Sequence, residues 1–316
     1  MSLHVIIGAG PVGSATALRL AAAGQQVRVI TRSGAGPDAD GIEKIAADAA
    51  DAGRLASLAA GAEVIYNCAS PPYHRWPQDW PPLAAAVLAA AEHAGAVLVS
   101  MSNLYGYGPV SHPLTECDPL AATGPKGRTR AAVWAQALAA HQAGRVRAAE
   151  ARASDFFGPG VRGQSPVGRS IPRLLAGRPA AVLGDPDAPH SWTYVPDIAA
   201  ALVTLGADGH AWGHAWHVPT GAPMSQRGIF TDLARIAGAP APRLRPVPPW
   251  LLRAAGLAVP SLRELGEVAY QFTGPFVMDS SAFQDTFGTG PTPADQALAA
   301  TVTWWQPTGR TAASKE

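Results

Sequence analysis

The chain has 316 residues, of which 47% are hydrophobic, so it can bury a large core and is not a disordered polypeptide. Its 24 lysines and arginines almost balance its 23 acidic residues, and the arginines are scattered, which argues against nucleic acid as a partner. Cys68 and Cys117 have neither disulfide nor metal-ligand spacing, so no metal site is expected and both cysteines fit a reducing cytoplasm.

Short apolar runs alternate with longer alanine-rich segments in the first half of the chain. The runs are LHVII, QVRVI, EVIYN and AVLVSM, and a stretch of helical length separates each from the next. A further strand is expected at about 145–153. This alternation predicts βαβ units, and therefore an α/β fold with a Rossmann-type, doubly wound parallel sheet.

The composition changes after the segment SDFFGPG, where proline, glycine and tryptophan become more frequent and the predicted elements become shorter. We therefore predict a dinucleotide-binding Rossmann domain over residues 1–160. Residues 161–307 are predicted to form a smaller C-terminal α/β region that mainly binds substrate, with elements such as 196–205 returning to the first layer. The polar residues 308–316 predict a flexible tail.

The N-terminal stretch is apolar, but it lacks a basic start and is interrupted by glycines, so we do not expect a cleaved signal peptide. Elsewhere the chain has no uninterrupted apolar run of about 18 residues, so no membrane span is predicted. These features predict a cytoplasmic protein.

The segment GAGPVG lies between the first predicted strand and an alanine-rich helix, which is the context in which GxGxxG binds a dinucleotide. Gly8 permits a tight turn, Gly10 lets a pyrophosphate approach the backbone, and Gly13 permits close helix packing. Pro11 and Val12 begin the helix, whose N-terminal N–H groups favour an anion. A glycine-rich turn without a ligand is the alternative.

The end of the second predicted strand indicates which dinucleotide is bound. Thr31, Arg32 and Ser33 stand where an NAD-binding chain is expected to carry Asp or Glu for the ribose 2'-hydroxyl. An arginine and a serine instead supply a cation and a hydroxyl donor to a 2'-phosphate. NADPH is therefore the expected cofactor, although Arg32 could also be a solvated loop residue. Asp48, with Ala49 beside it, follows a weak third strand and is placed to accept a hydrogen bond from the adenine amino group.

Five motifs together resemble the short-chain dehydrogenase/reductase superfamily, in particular its extended members of the epimerase/dehydratase type. They are GAGPVG, NCASPP after the fourth strand, SMSNLYGYGP after the fifth, RASDFFGPG after the sixth, and WTYVPDIAAAL further on. The resemblance covers nearly the whole chain. It implies a nicotinamide held over the carboxyl edge of the sheet, with Cys68, Ala69 and Ser70 beside the cofactor. It also implies a Ser/Tyr/Lys group that donates a proton while hydride moves.

The chain departs from that catalytic group at every position. The family's tyrosine falls on Lys126, its lysine on Arg130 and its serine on Met101, with Ser102 one position away. Losing one preorganised donor to a developing oxyanion costs about 3 to 4 kcal/mol, so an enzyme of this kind needs a replacement.

Lys126 is the first candidate for that replacement, either at the substrate carbonyl or at the cofactor ribose, and an exposed residue at a helix start is its alternative. Ser102 and Tyr105 are the next donors. A phenolic hydroxyl on the substrate itself, next to the ketone, is a third route.

The family's arginine for a nucleotide-sugar diphosphate is replaced by His190, and aromatic side chains are common near the expected site. Such side chains hold flat apolar ligands by stacking and burial, although each can also be a core residue. The proline-rich segment PPYHRWPQDWPP is expected to be a loop over the cofactor. The predicted substrate contacts are Tyr73, Trp76, Tyr105, Phe156, Phe157, His190 and Trp192, and Trp80, Trp250, Tyr270 and Phe276 are further candidates.

These observations favour an NADPH-dependent ketoreductase, monomeric or homodimeric, that reduces a polycyclic aromatic, angucyclinone-like polyketide ketone in secondary metabolism. Two alternatives stay open. A non-catalytic NADP(H)-binding redox sensor would explain the altered catalytic group. A sugar-nucleotide epimerase or dehydratase would fit the family, but His190 and Lys126 argue against it.

Overall fold

The computed structural model describes residues 1–163, 165–248 and 266–306. The strands are β1 (Leu3–Ile7), β2 (Gln26–Thr31), β3 (Ile42–Ala46), β4 (Ala62–Asn67), β5 (Val97–Asn103), β6 (Arg147–Ala153), β7 (Asp155–Phe157), β8 (Ala180–Leu183), β9 (Trp192–Tyr194), β10 (Ala215–His217) and β11 (Leu244–Val247). The helices are α1 (Pro11–Ala22), α2 (Ala52–Leu58), α3 (Trp76–Ala94), α4 (Pro125–Gln142), α5 (Pro166–Leu175), α6 (Val195–Ala207), α7 (Gln226–Ala237), α8 (Ser281–Phe287) and α9 (Ala294–Trp305).

Seven parallel strands form the central sheet in the order β10-β6-β5-β4-β1-β2-β3. The chain runs outward from β1 in one direction through β2 and β3, and in the other through β4, β5 and β6. This reversal opens a crevice between the carboxyl ends of β1 and β4, where ligands bind in open α/β sheets. The predicted Rossmann-type α/β fold with a smaller C-terminal α/β region is confirmed.

Helices cover both faces of the sheet, which explains why its strands are continuous apolar runs. Val5 and Ile7 of β1 belong to the core cluster that contains α2, α3 and α4 side chains, whereas Ile6 belongs to the cluster with α1 and α6. Successive strand residues point to opposite faces, so a single strand contributes to both clusters. The site therefore rests on a sheet that is held rigidly from both sides.

The C-terminal region has its own small core around two short parallel ribbons, β8 with β11 and β7 with β9. Phe157, Ile171, Phe230 and Leu298 belong to this core, which α5, α7 and α9 cover. The chain also returns to the first layer, because β10 pairs with β6 and α6 packs against α1 and the sheet. That residues 161–307 mainly bind substrate stays a prediction. Trp250 and the predicted flexible tail 308–316 lie outside the described residues.

The expected loop PPYHRWPQDWPP is largely helical, and that prediction was wrong. A 3₁₀ turn covers Tyr73–Arg75, and α3 begins at Trp76 and runs through Pro81 and Pro82. Each internal proline removes one backbone donor from the helix. Trp76 and Trp80 are nevertheless 5% and 1% exposed and pack edge to face, with 6.1 Å between ring centroids. Burial of two indoles offsets the lost hydrogen bonds, because each buried aromatic removes a large apolar area from water.

Over the described parts of the chain, no helix is both long and apolar enough to cross a bilayer.

Candidate active site

The turn between β1 and α1 has the geometry of a dinucleotide cradle. Gly8 has φ +95°, and a Cβ there would lie 2.8 Å from the Cα of Ala69. A Cβ on Gly13 would lie 2.0 Å from the carbonyl oxygen of Gly8, so both glycines are required by packing. A Cβ on Gly10 would meet no atom within 4 Å. Gly10 is the N-cap residue of α1, and no side-chain hydrogen bond caps this end of the helix. The space in front of Gly10 and the N-terminal N–H groups of α1 together fit a pyrophosphate.

The loop after β2 contains the polar side chains that were predicted to bind the 2'-phosphate of the cofactor. The hydroxyl of Thr31 donates to the carbonyl oxygen of Ala35 over 2.9 Å, and the hydroxyl of Ser33 accepts from the Ala35 N–H over 3.4 Å. These bonds fold the loop back on itself. Arg32, between them, is exposed. Arg32 and the Ser33 hydroxyl therefore keep donors for a 2'-phosphate, whereas the Thr31 hydroxyl donates within the loop, and the choice of NADPH stays a prediction.

The two other segments predicted to contact the cofactor differ in exposure. Asp48 is exposed, and its carboxylate accepts a hydrogen bond from the Ala50 N–H over 3.0 Å, while Ala49 is buried. Cys68 directly follows β4 and is half-buried, and Ser70 is exposed. Burial raises the pKa of the Cys68 thiol to about 12, so this cysteine is a neutral thiol and not a nucleophile at physiological pH.

Lys126 lies in the first turn of α4 and is 1% exposed, so the alternative of an exposed helix-terminal residue is wrong. Its Nζ is 3.0 Å from Oε2 of Glu267, and its backbone N–H donates to Oε1 of the same carboxylate over 2.7 Å. The ammonium also lies over the ring of Tyr73, 4.7 Å from the ring centroid. Glu267 thus caps α4 and neutralises Lys126. No local pattern could have identified Glu267, because 141 positions separate it from Lys126.

Arg130, which takes the place of the family's lysine, is buried between α4 and α3. Its Nε donates to the hydroxyl of Ser102 over 3.1 Å, and its Nη2 donates to the carbonyl oxygen of Met101. The guanidinium carbon lies 4.4 Å from the centroid of the Trp80 ring. Burial lowers the pKa of Arg130 to about 10, which still leaves it charged at neutral pH. Ser102 is therefore held as an acceptor by Arg130, and its catalytic role stays a prediction.

Two tyrosine hydroxyls meet beyond the carboxyl ends of β4 and β5. The hydroxyl of Tyr73 donates to the hydroxyl oxygen of Tyr105 over 3.1 Å, and the ring of Tyr105 packs against Trp76. Burial is the main cause that raises the pKa of both phenols, so both are neutral at physiological pH. Within the described chain, the proton of Tyr105 itself has no acceptor. Tyr105 is therefore a phenolic donor at the sheet edge where the nicotinamide is expected.

His190 is not positioned as an exposed anchor for a substrate anion. It is 2% exposed, its Nε2 is 3.0 Å from Oδ2 of Asp155, and its Nδ1 is 3.2 Å from the carbonyl oxygen of Gln271. Its ring lies between Trp192 and Phe272, with centroid distances of 4.4 and 4.9 Å. The sequence arguments missed Asp155. Its position directly beyond β6, at the carboxyl edge of the sheet, is the signal that could have identified it.

Two of the aromatic residues predicted to bind substrate are core residues. Phe157 and Trp192 are 6% and 5% exposed and belong to the core of the C-terminal region. Phe156 is half-buried against the sheet, and Tyr270 packs edge to face on Phe276 with 6.0 Å between centroids. Core packing thus accounts for Phe157 and Trp192, and their contact with substrate stays a prediction.

A second buried polar network, which the sequence did not reveal, joins β6 to β10. Arg152 donates to Glu150 Oε1 and to the hydroxyl oxygen of Tyr107, each over 2.7 Å. Nδ1 of His217 lies 2.6 Å from the carbonyl oxygen of Asp279, which can only accept, so Nδ1 carries the proton. Nε2 of His217 then accepts from the Tyr107 hydroxyl over 2.7 Å. Burial lowers the pKa of His217, in agreement with a neutral imidazole.

A glycine cradle at the switch point, with proton-donating groups at the same sheet edge, defines a dinucleotide-dependent protein of the Rossmann class. The chain belongs to the NAD dependent epimerase/dehydratase family, which it matches over residues 4–216. The resemblance to the extended short-chain dehydrogenase/reductases is thereby confirmed at the level of the family. No curated protein sequence matches the chain.

Several solved structures share the fold. An epimerase from Methanothermobacter thermautotrophicus has a TM-score of 0.81 and 19% identity, with 96% of this chain and 92% of that chain covered. A dTDP-glucose 4,6-dehydratase from Bacillus anthracis, in complex with NAD, has a TM-score of 0.79 and 16% identity, with 96% of each chain covered. A UDP-glucuronic acid 4-epimerase from Bacillus cereus, in complex with NAD, has a TM-score of 0.77 and 19% identity, with coverages of 96% and 98%.

Proposed function

We propose that this chain is an NADPH-dependent oxidoreductase that reduces a carbonyl group of a small molecule and uses Tyr105 in place of the family's tyrosine. One observation carries the proposal: the Gly8–Gly13 cradle and the Tyr73–Tyr105 pair both follow strands of one parallel sheet, at its carboxyl edge. The bound dinucleotide supplies the hydride in this reaction. The protein has to supply a proton to the substrate oxygen.

Tyr105 fits the proton donor because its O–H is available and neutral. When Tyr105 gives up its proton, negative charge develops on its oxygen, and the Tyr73 hydroxyl already donates a hydrogen bond to that atom. A hydrogen bond to a developing charge of this kind contributes about 1.5 kcal/mol to its stabilisation. Lys126 contributes to the proton transfer only by holding Tyr73 in place. Its ammonium lies over the Tyr73 ring and is paired with Glu267.

The comparisons support a sugar nucleotide as substrate better than an aromatic ketone, because two of the three similar structures named above are sugar-nucleotide enzymes by their descriptions. None of those structures concerns a polyketide. A sugar-nucleotide epimerase or dehydratase is therefore one candidate for this chain. The candidate requires a site for the diphosphate, which His190 does not offer while it is buried against Asp155.

A polycyclic aromatic, angucyclinone-like ketone is the second candidate, and the aromatic side chains of the site favour it. Tyr73, Tyr105 and Trp76 offer a surface on which a flat apolar ligand can stack. A third candidate, the NADP(H)-binding redox sensor, follows if the altered catalytic group does not support turnover.

One experiment separates these candidates. The purified protein is incubated with NADPH and a panel of polycyclic aromatic ketones and, separately, with NAD⁺ or NADP⁺ and either dTDP-glucose or UDP-glucuronic acid, because an epimerase or dehydratase first has to oxidise the sugar. Nicotinamide absorbance and product chromatography are followed together, because an epimerase changes the sugar without net oxidation of the cofactor. NADPH oxidation with a ketone supports the reductase, and conversion of a sugar nucleotide supports the epimerase or dehydratase. NADPH binding without conversion of any compound contradicts the proposal and favours the sensor.

A further inference from the structure

Both ring nitrogens of His190 face hydrogen-bond acceptors. Nδ1 is 3.2 Å from the carbonyl oxygen of Gln271, and Nε2 is 3.0 Å from Oδ2 of Asp155. A carbonyl oxygen only accepts, so Nδ1 carries a proton. A neutral imidazole has a single N–H, and an ionised carboxylate also only accepts. The contact between Nε2 and Oδ2 therefore requires one more proton than a neutral histidine beside a carboxylate would hold.

We propose that Asp155 and His190 share this extra proton and return it to Tyr105 after Tyr105 has protonated the substrate. The first half, the shared proton, concerns the protein alone. The second half rests on the proposed function. Neither residue needs to touch the substrate, so both are positioning residues that act through Tyr105.

The surroundings of the pair favour a retained proton. The ring of Phe272 stacks on His190 at an interplanar angle of 11°, and Trp192 and Phe276 lie close by, at centroid distances of 4.4 and 5.6 Å. Faces of aromatic rings attract positive charge. The His190 side chain is 3% exposed and that of Asp155 is 18% exposed, so the shared proton can leave the pair only through Asp155.

The phenols are the groups that this route reaches. Asn103 of β5 pairs with Ala153 of β6, so Tyr105 and Asp155 each lie two residues beyond paired positions of neighbouring strands. Asp155 also acts electrostatically on Tyr73 and Tyr105, which adds to the effect of burial in raising the pKa of each phenol. No hydrogen bond joins Asp155 to either phenol in the described chain, so the transfer needs a water or the substrate between them. Among the described residues, Glu267, Arg169 and Tyr270 also act electrostatically on these phenols, and the Lys126 ammonium lies over the Tyr73 ring.

The proposed cycle balances. Hydride adds to the carbonyl carbon as the π bond breaks, and the carbonyl oxygen takes the phenolic proton of Tyr105. The extra proton of the pair then passes through Asp155 to the Tyr105 oxygen, which leaves an ionised Asp155 beside a neutral His190. A proton from solvent restores the pair. The net change is one hydride from the reduced dinucleotide and one solvent proton added across the carbonyl.

The shared proton is tested on the protein without cofactor or substrate. Histidine labelled with ¹⁵N gives ring-nitrogen shifts, and loss of one set in His190→Gln assigns His190. We expect Nδ1 to be protonated, with a second proton either on Nε2 or on Asp155. The infrared carbonyl band of a protonated acid, removed in Asp155→Asn, detects the latter case. A neutral His190 with a single proton, on either ring nitrogen, beside an ionised Asp155 would overturn the proposal.

The return of the proton is tested with Asp155→Asn, whose amide can still hydrogen-bond to Nε2 and so preserves the fold. We expect NADPH oxidation in a single turnover to keep its rate, because Tyr105 starts protonated, and the steady-state rate to fall at least tenfold. The pH profile of the steady-state rate should also change. Equal rates and an unchanged profile would overturn this half. If the unaltered protein oxidises no NADPH, the proposed function fails, while the NMR result still decides the shared proton.

Discussion

The hydroxyl of Tyr73 donates its proton to the oxygen of Tyr105, so the Tyr105 proton is the one left for a substrate. The direction of this bond separates the two phenols. In the proposed reaction, Tyr105 is the proton donor and Tyr73 stabilises the oxygen that remains. Although Lys126 takes the family's tyrosine position, the chain keeps a phenol at the sheet edge, because Tyr105 in the loop after β5 supplies it.

Tyr105→Phe is expected to lower kcat about 10²- to 10³-fold, the usual loss for one donor to an oxyanion, because no hydroxyl remains to protonate the product. Tyr73→Phe should lower kcat by about tenfold, since it removes only the stabilising hydrogen bond. Both variants should bind NADPH as the unaltered protein does. Tyr66→Phe, on a β4 residue that packs into the α1 and α6 cluster, is the control and should keep full activity. An unchanged kcat in Tyr105→Phe would assign the proton to Ser102 or to the substrate's own hydroxyl.

The features that the sequence predicts well are local. The β1 run and GAGPVG are contiguous, so strand, turn and helix start can be predicted without knowledge of the rest of the chain. The pairs that form the site are not contiguous. Lys126 meets Glu267 across 141 positions, and Asp155 meets His190 across 35, so neither pair leaves a periodic pattern.

The segment from Trp76 to Pro82 shows a second limit. Its prolines predict a loop, but burial of two indoles in the core outweighs the lost helical hydrogen bonds. Local propensity fails wherever tertiary packing contributes more free energy than the backbone preference costs.

The Lys126–Glu267 pair is expected to be energetically coupled. Removing one partner of a buried pair leaves the other charge without compensation, whereas removing both does not. In a double-mutant cycle with Lys126→Met and Glu267→Gln, we expect a coupling of about 1 to 3 kcal/mol in the free energy of unfolding. The measurement is urea denaturation at constant m-value. Arg227 and Asp187 form an exposed pair and are the control, whose coupling should be much smaller. Additive effects of Lys126→Met and Glu267→Gln would show that the pair does not stabilise the fold.

Gly10→Ala should weaken NADPH binding at least tenfold, about 1.4 kcal/mol, without lowering the melting temperature. The new methyl group meets no protein atom within 4 Å, but it would occupy the space through which a pyrophosphate approaches the backbone. Gly221→Ala is the matched control, because its Cβ is equally free of contacts. Fluorescence titration with NADPH and thermal unfolding provide the two measurements. Equal affinity in the Gly10 and Gly221 variants would place the pyrophosphate elsewhere.

Arg32→Ala should weaken NADPH binding by about 10- to 100-fold and leave NADH binding nearly unchanged. A hydrogen bond to a charged group contributes about 1.5 to 3 kcal/mol, and only NADPH carries the 2'-phosphate that Arg32 is proposed to bind. Titrations with both cofactors measure the ratio. Arg235→Ala, an exposed change on α7, should leave both affinities unchanged. Equal losses for the two cofactors would contradict the 2'-phosphate assignment.

His217 is expected to make the protein sensitive to acid. Burial lowers its pKa in the folded state, whereas an unfolded histidine titrates near pH 6.5. As pH falls below about 6.5, the unfolded chain binds a proton that the folded chain does not, so the free energy of unfolding decreases. His217→Gln should reduce this slope by up to about 1.4 kcal/mol per pH unit. Its stability at about pH 8 should also be lower, because it disturbs the hydrogen bonds that the His217 ring makes to the Tyr107 hydroxyl and the carbonyl oxygen of Asp279.

Urea denaturation of both proteins between about pH 5 and about pH 8 measures the slopes. His4, whose pKa burial also lowers, should leave a residual slope in His217→Gln. The control is His74→Gln, an exposed change that should reproduce the slope of the unaltered protein. If His217→Gln kept that full slope, His217 would be free to take up a proton in the folded state. The network from Arg152 through Tyr107 to His217 would then not hold the imidazole neutral.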